Sequence, residues 1–229
     1  DAATIGCVWK NRVILNSTST KGHIQISNAG SNTQFASFSS TALPAAGLRL
    51  RIGDPGDDIT GLIPLGSALC ILKRRSAYLM FGEDSTNFYV QPVHERGCVN
   101  PDSIQRTEND LTFLSHDGIE AFGYQNGYSM VPRSFSIEDK FHDFIKQTRL
   151  DTGDRSADLS IELSMQYQLS AARVVTSWYH DKRYFIGLPD RTLCMDIMSD
   201  GWTDTGYGYV RSAAEVRGWT LPETLFLVL

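Results

Sequence analysis

Histidines and carboxylates are the first residues to consider for chemistry, and their spacing matches no catalytic pattern. The five histidines form neither the HExxH spacing of a zinc protease nor an H-x-H pair. His116 and His180 are each followed by aspartate at a predicted turn, which favours exposed turn residues over a general base with its orienting acid. The G-x-S-x-G, GxxxxGK[ST] and GxGxxG patterns are absent from the sequence. We therefore expect no enzyme, no catalytic residue and no cofactor.

An acidic turn is the first segment that could bind an ion. Asp54, Asp57 and Asp58 stand beside Gly53 and Gly56 and could offer oxygen ligands to Ca²⁺. Their spacing differs from that of an EF-hand loop, so a solvated acidic turn is the simpler interpretation and no metal is predicted.

A basic triplet, Lys73-Arg74-Arg75, is the second charged segment. Strand alternation would place Lys73 and Arg75 on one face and Arg74 on the other, which divides the charge. A solvated face or salt bridges to another subunit are the simpler roles, and contact with DNA phosphate is the sharper alternative. The net charge of −5 argues against a general nucleic-acid binder, which needs a basic face.

Aromatic and acidic turn residues offer a third chemistry, the recognition or cleavage of sugars. Ser199-Asp200-Gly201-Trp202-Thr203 is similar to the Asp-box turn of sialidases, but the spacing differs and that turn is itself a folding motif. Carboxylates are plentiful, yet nothing selects the pair that a glycosidase needs. Rings near turns could stack on sugars, anchor an interface or pack between strands; they are Tyr124, Tyr128, Tyr179, Trp202, Tyr207, Tyr209 and Trp219.

The four cysteines indicate free thiols. Cys7, Cys70, Cys98 and Cys194 are far apart and form no CxxC pair, so neither a disulfide framework nor a zinc site is expected. The sequence also has no apolar run near the ~20 residues that cross a bilayer.

Short β-strands must position these residues. Segments of four to seven residues, rich in aromatic and β-branched types, alternate with turn signals such as Lys10-Asn11, His116-Asp117-Gly118 and His180-Asp181-Lys182. This pattern of successive hairpins predicts an all-β protein.

The hairpins recur at intervals typical of propeller blades. Their principal strands begin near Val13, Leu69, Leu111, Tyr184 and Leu225. Two of the intervals are about 42 and 41 residues, which matches the roughly 40–50 residues of a four-stranded blade. We predict a β-propeller-like array of four-stranded antiparallel blades forming one domain over residues 1–229. The alternative is a β-sandwich, which the same strands could build.

Two insertions account for the longer intervals. The first is a loop at about 37–58, and the second is an amphipathic helix at about 136–148, capped by Ser136 with acids in its first turn. Its apolar face is Ile137, Phe141, Phe144 and Ile145, which we expect to pack on a neighbouring blade or on a second subunit. The sequence starts without Met and ends in a strand-like run, so we expect a fragment of a longer chain.

One run of the sequence resembles a known family. In residues 53–122, a predicted strand region bearing Lys73-Arg74 and Tyr78 precedes two sequence motifs, Gly97-Cys-Val-Asn-Pro-Asp-Ser-Ile104 and Phe113-Leu-Ser-His-Asp-Gly-Ile119. This order resembles the β-propeller modules of tailed-bacteriophage virion proteins, most of all the tail nozzle (tail tubular) protein of short-tailed phages. Residues 173–202 show a weaker resemblance to the same modules.

The resemblance implies a structural virion component of the phage tail. Such a protein would assemble as a homo-oligomeric ring around the DNA exit path, beside other tail or connector proteins, and DNA would pass transiently through it. Lys73, Arg74 and Arg75 would then contact DNA in the channel or form salt bridges. The alternative function is a carbohydrate-binding propeller that recognises a host surface glycan.

Overall fold

The computed structural model describes 3–32, 35, 47–83, 86–108, 110–123, 129–137, 175–188, 191–207 and 210, together with the backbone of 212–216 and 224–228. The chain divides into two compact units, Asp1–Val99 and Asn100–Leu229. In the described ranges no helix is long and apolar enough to cross a membrane.

The first unit contains two four-stranded antiparallel sheets, each built from consecutive strands. Sheet 1 consists of β1 (Gly6–Trp9), β2 (Arg12–Asn16), β3 (His23–Ile26) and β4 (Leu48–Arg51). Sheet 2 consists of β5 (Ile59–Leu65), β6 (Ala68–Lys73), β7 (Ala77–Phe81) and β8 (Tyr89–His94). One apolar core joins the two sheets, with Ile14 and Ile24 from sheet 1 against Leu69 and Ile71 from sheet 2.

The second unit repeats the same architecture. Sheet 3 consists of β9 (Gln105–Thr107), β10 (Asp110–Ser115), β11 (Gly118–Gly123) and β12 (Met130–Pro132). Sheet 4 consists of β13 (Thr176–His180), β14 (Arg183–Leu188), β15 (Arg191–Asp196) and β16 (Trp202–Asp204). Sheet 5 pairs β17 (Ser212–Val216) with β18 (Thr224–Val228), and short 3₁₀ turns lie at Pro101–Ser103 and Phe135–Ile137.

The predicted all-β blade array is confirmed. Sheets 1 to 4 are up-and-down meanders whose strand order follows the chain, which is the blade unit of propellers. An immunoglobulin-type sandwich would instead send successive strands to different sheets. The five predicted principal strands coincide with the second strand of each successive sheet: β2, β6, β10, β14 and β18.

Tight turns set the register of the hairpins. Lys10 and Asn11 both have positive φ, at 48° and 58°, and Asp181 and Lys182 repeat this at 47° and 58°. Two consecutive left-handed residues are the signature of a type I′ turn, whose twist matches that of the strands it joins. Two of the predicted hairpin turns are therefore confirmed in position, and the structure shows that both are of type I′.

The two predicted insertions have different outcomes. The range 37–58 is not a continuous loop, because Leu48–Arg51 forms β4 and pairs with β3. In β4, leucine alternates with arginine, which is the period of a strand. The segment is short and lies between turn-rich sequences, so the sequence pattern predicts a loop. The predicted helix lies almost wholly outside the described residues: only Ser136 and Ile137 are described, within the 3₁₀ turn. Phe141, Phe144 and Ile145 lie outside them.

Candidate functional site

The basic triplet does not form a surface patch, because Lys73 is buried. Lys73 ends β6, is 0% exposed, and its Nζ donates to the carbonyl oxygens of Ile52 at 2.7 Å and Asp54 at 2.5 Å. Burial lowers the pKa of Lys73, and the carboxylates of Asp57 and Asp54 oppose this effect. A buried ammonium cannot reach a DNA phosphate, so the predicted DNA contact is wrong for Lys73. Its contacts tie the segment between sheets 1 and 2 to the end of β6.

The acidic turn binds the protein's own groups. Asp57 is buried, and its carboxylate accepts from the backbone nitrogens of Arg74 at 3.0 Å and Arg75 at 3.3 Å and from Ser76 Oγ at 2.9 Å. Asp54 Oδ1 accepts from the backbone nitrogen of Gly56 at 2.8 Å. Because these oxygens complete the turn, its acids serve as a structural clamp.

Arg74 forms an ion pair with the acidic turn. Its Nε lies 3.9 Å from Asp58 Oδ2, and Lys21 Nζ lies 3.3 Å from Asp58 Oδ1. Both basic side chains are more than one-third exposed, so each pair contributes little, about 0–1 kcal/mol. This ion pair lies within the chain, so the expected salt bridges to another subunit and the DNA contact by Arg74 and Arg75 both stay predictions.

Two glycines of the first unit let other chain segments approach closely. Cys98 donates its backbone N–H to Lys73 O at 2.8 Å, and a Cβ on Gly97 would lie 2.0 Å from the same oxygen. A Cβ on Gly53 would lie 2.0 Å from Tyr78 Oη. A side chain at either position would overlap these atoms: Gly97 lies against Lys73 itself, and Gly53 belongs to the segment that Lys73 holds. We call these residues, Gly53, Lys73, Tyr78 and Gly97, the first-unit joint.

The second unit has a joint of its own around a 3₁₀ turn. Asn100 caps this turn by accepting from the backbone nitrogen of Asp102 at 2.8 Å. Ser103 Oγ accepts from Leu114 N at 2.9 Å, and the carbonyl of Ser103 accepts from Tyr184 Oη at 2.8 Å. Since Leu114 belongs to sheet 3 and Tyr184 to sheet 4, the turn connects the two sheets.

The segment similar to an Asp-box is also structural. Asp200 Oδ1 and Oδ2 accept from Arg133 Nη1 at 2.5 and 2.7 Å, and Trp202 Nε1 donates to Arg133 O at 2.7 Å. These bonds join the β15–β16 turn to the segment after β12. His116 and His180, predicted as exposed turn residues, are both half-buried. In the part of the chain that the structure describes, no three His, Cys, Asp or Glu side chains are grouped to hold a metal ion.

An open cleft of about 650 Å³ lies on sheet 4. Phe185 and Cys194 are paired on neighbouring strands, Thr203 is paired with Cys194, and Arg183 is paired with Asp196. These five residues share one face and line the cleft, together with Gly201, Asp204, Thr205 and Tyr207. The opposite face carries the buried Tyr184, whose hydroxyl reaches sheet 3.

Sequence reasoning missed most of this cleft. Of the rings predicted near turns, Tyr207 lines it, and it is 54% exposed. The alternation of Arg183 and Phe185 with the buried Tyr184 and Ile186 was a usable signal, because it places the first pair on the less buried face.

Comparison with known proteins gives no family. No family model matches the sequence, and no curated protein matches it. A solved structure described as "AfRom2 CNH domain" is similar over 93% of this chain, with a TM-score of 0.44 and 11% identity. The chain spans 61% of that structure's length. We draw no functional argument from so distant a likeness, and the class of the protein rests on its own sheets: an all-β, blade-forming protein.

Proposed function

We propose that this chain is a structural component of a phage tail, similar to a tail nozzle protein. In this role it forms a homo-oligomeric ring with other tail or connector proteins around the DNA exit path, in the virion, and performs no catalysis. The proposal is supported by the positions of the residues that carry the family resemblance. Lys73, Tyr78 and Gly97 belong to the first-unit joint, and Ser103 forms the joint of the second unit.

The residues that carry the resemblance therefore have a specific structural role, which is to connect one sheet to the next. A chance likeness between hairpins would fall on strand residues, which any β protein shares. Here the sequence segments that carry the resemblance include a buried lysine, a glycine that permits close backbone contact and a serine that accepts hydrogen bonds from two sheets. These features define how one blade follows another, which supports a relationship at the level of the module.

A conduit for DNA must let a polyanion slide without holding it. The net charge of −5 suits that requirement, and so does the withdrawal of the Lys73 charge into the unit interior. Arg74 and Arg75 are the basic residues of the triplet proposed to meet passing DNA.

An apolar contact with a neighbouring subunit is proposed near the predicted helix. Phe135 is 83% exposed and directly precedes the segment whose apolar face we predicted, Ile137, Phe141, Phe144 and Ile145. A large exposed ring beside an apolar stripe is typical of a surface that another protein covers.

Assembly is the property to measure. Light scattering coupled to size-exclusion chromatography, with negative-stain imaging of the same peak, is expected to give rings with an open centre. Phe135→Ser should shift the population toward smaller species, whereas Met198→Ser, which removes a comparably exposed apolar side chain (73%), should leave it unchanged. A monomer at every concentration tested would overturn the proposal.

A further inference from the structure

The cleft on sheet 4 combines an aromatic surface with charged groups at its two ends. Phe185 in its floor is stacked on Trp178, with ring centroids 5.0 Å apart and planes at 5°. Arg183 and Asp196 stand opposite each other at one end, and the exposed Asp204 belongs to the rim. Five polar or charged residues beside the rings of Phe185 and Tyr207 suit a ligand that carries both hydroxyl groups and an apolar face.

The rim that presents Tyr207 is held in place by its own turn. Asp204 Oδ1 accepts from Gly206 N at 3.0 Å, and Thr205 Oγ1 accepts from Tyr207 N at 3.3 Å. The Thr205 hydroxyl in turn donates to Thr192 O at 2.9 Å, which fastens the turn to β15. Gly206 adopts φ +72°, a conformation that glycine accepts without strain. Because these bonds already fix the turn, little ordering of the backbone beneath the Tyr207 ring is needed when a ligand binds.

The opposite end of the cleft carries a fixed carboxylate. Asp196 Oδ1 accepts from the backbone nitrogens of Ser199 and Met198, each at 3.0 Å. The bonds from Ser199 are the main reason that the pKa of Asp196 lies below its usual value, so it stays ionised at neutral pH. Arg183, its cross-strand neighbour, supplies the guanidinium of the cleft.

We propose that this cleft binds a neutral saccharide of one or two rings. The C–H face of a pyranose is apolar and suits the exposed ring of Tyr207, while its hydroxyls can donate to Asp204 and Asp196 and accept from Arg183. Two carboxylates against one guanidinium leave the cleft negative, which disfavours acidic sugars. A volume of about 650 Å³ lies within the usual range of ligand sites.

Saccharide binding and ring assembly are separate properties, and each can fail without the other. A tail protein with such a cleft would touch host glycans directly, whereas a monomer with it would be a lectin-like propeller. Binding is therefore measured on the same preparation whose oligomeric state has been determined.

Saturation-transfer NMR and calorimetry of the full chain test the site with cellobiose, lactose and N,N′-diacetylchitobiose, and with glucuronic acid as the charged comparison. At least one neutral disaccharide is expected to bind at millimolar concentration, and more tightly than glucuronic acid. Tyr207→Ala should weaken binding about tenfold, equivalent to the ~1.4 kcal/mol of one aromatic contact.

Two further variants separate the site from general effects. Tyr89→Ala removes a comparably exposed ring (57%) in the other unit and should leave affinity unchanged. Asp204→Asn keeps the side-chain oxygen that accepts from Gly206 and removes the negative charge. It should weaken the binding of neutral sugars and reduce the difference in affinity between them and glucuronic acid. Failure of every neutral probe to bind, or equal loss in the Tyr207 and Tyr89 variants, would overturn the proposal.

Discussion

Replacing Lys73 with methionine tests whether the buried ammonium holds the first unit together. Methionine keeps the length and apolar body of the side chain but cannot donate to Ile52 O and Asp54 O. Each hydrogen bond from a charged group contributes about 1.5–3 kcal/mol, so the gross loss is about 3–6 kcal/mol. Relief from dehydrating an ammonium offsets part of this, and we expect a net destabilisation of about 3 kcal/mol.

The matched control is Lys21→Met, which acts on the same acidic turn from the surface. Lys21 pairs with Asp58 at 3.3 Å, but its side chain is 60% exposed. Its removal should change the free energy of unfolding by less than about 1 kcal/mol. Urea unfolding followed by tryptophan fluorescence gives both values, and hydrogen exchange of peptides from β6 and from residues 52–58 locates the weakened region in the Lys73 variant.

The pH dependence of the Lys73 effect has a defined sign. The pKa of Lys73 is lowered from 10.5, so between its folded value and 10.5 the unfolded chain binds more protons than the folded one. Stability from this group therefore rises with pH across that window, and the advantage of the wild type over Lys73→Met should grow as the pH approaches 10.5. An advantage that shrinks there, or a Lys73 variant no weaker than the Lys21 variant, would refute the reasoning.

Three further substitutions or reactions test the remaining geometry. Gly97→Ala should destabilise the chain by about 3 kcal/mol or more, because its Cβ would lie 2.0 Å from a backbone oxygen, whereas Gly201→Ala, with its nearest atom at 3.1 Å, should stay within about 1 kcal/mol in the same urea assay. Tyr184→Phe removes the donor to Ser103 O and should lower the unfolding free energy by about 1–2 kcal/mol. Burial raises the pKa of Cys7 to about 11, so its reaction with a disulfide reagent at pH 8 should be about a hundredfold slower than that of a free thiol, and faster modification of this residue by mass spectrometry would contradict its burial.

The blades were most predictable where a strand is covered on both faces. In sheet 2, all six residues of β6 are buried, so the strand appears in the sequence as a continuous apolar run. The outer strand of the same sheet, β8, has no buried residue and gives no such signal. β4 was missed for a related reason: its leucines are half-buried and alternate with arginines. Periodicity therefore located the blades but not their edges.

The role of Lys73 could not be predicted from its neighbours in the sequence. The alternation rule concerns the faces of a strand, but β6 ends at Lys73, so Arg74 and Arg75 lie beyond its reach. The oxygens that accept from Lys73 belong to residues about 20 positions away, in a segment with few hydrophobic residues. A sequence pattern cannot show which backbone carbonyls will lie beside a lysine, and the same limit applies to the cleft, where four strand and turn segments meet.

The two joints share a chemical principle that explains why the blade repeat is so loose. In the first unit the Lys73 ammonium donates to carbonyl oxygens of the segment leading into sheet 2, and in the second the Tyr184 hydroxyl donates to a carbonyl oxygen of the segment leading into sheet 3. Every residue type carries a carbonyl, so these particular bonds place no demand on the side chains of the residues that accept them. A blade array joined in this way needs no recurring WD-like signature. It needs one long polar donor per joint and, where segments approach most closely, a glycine such as Gly97.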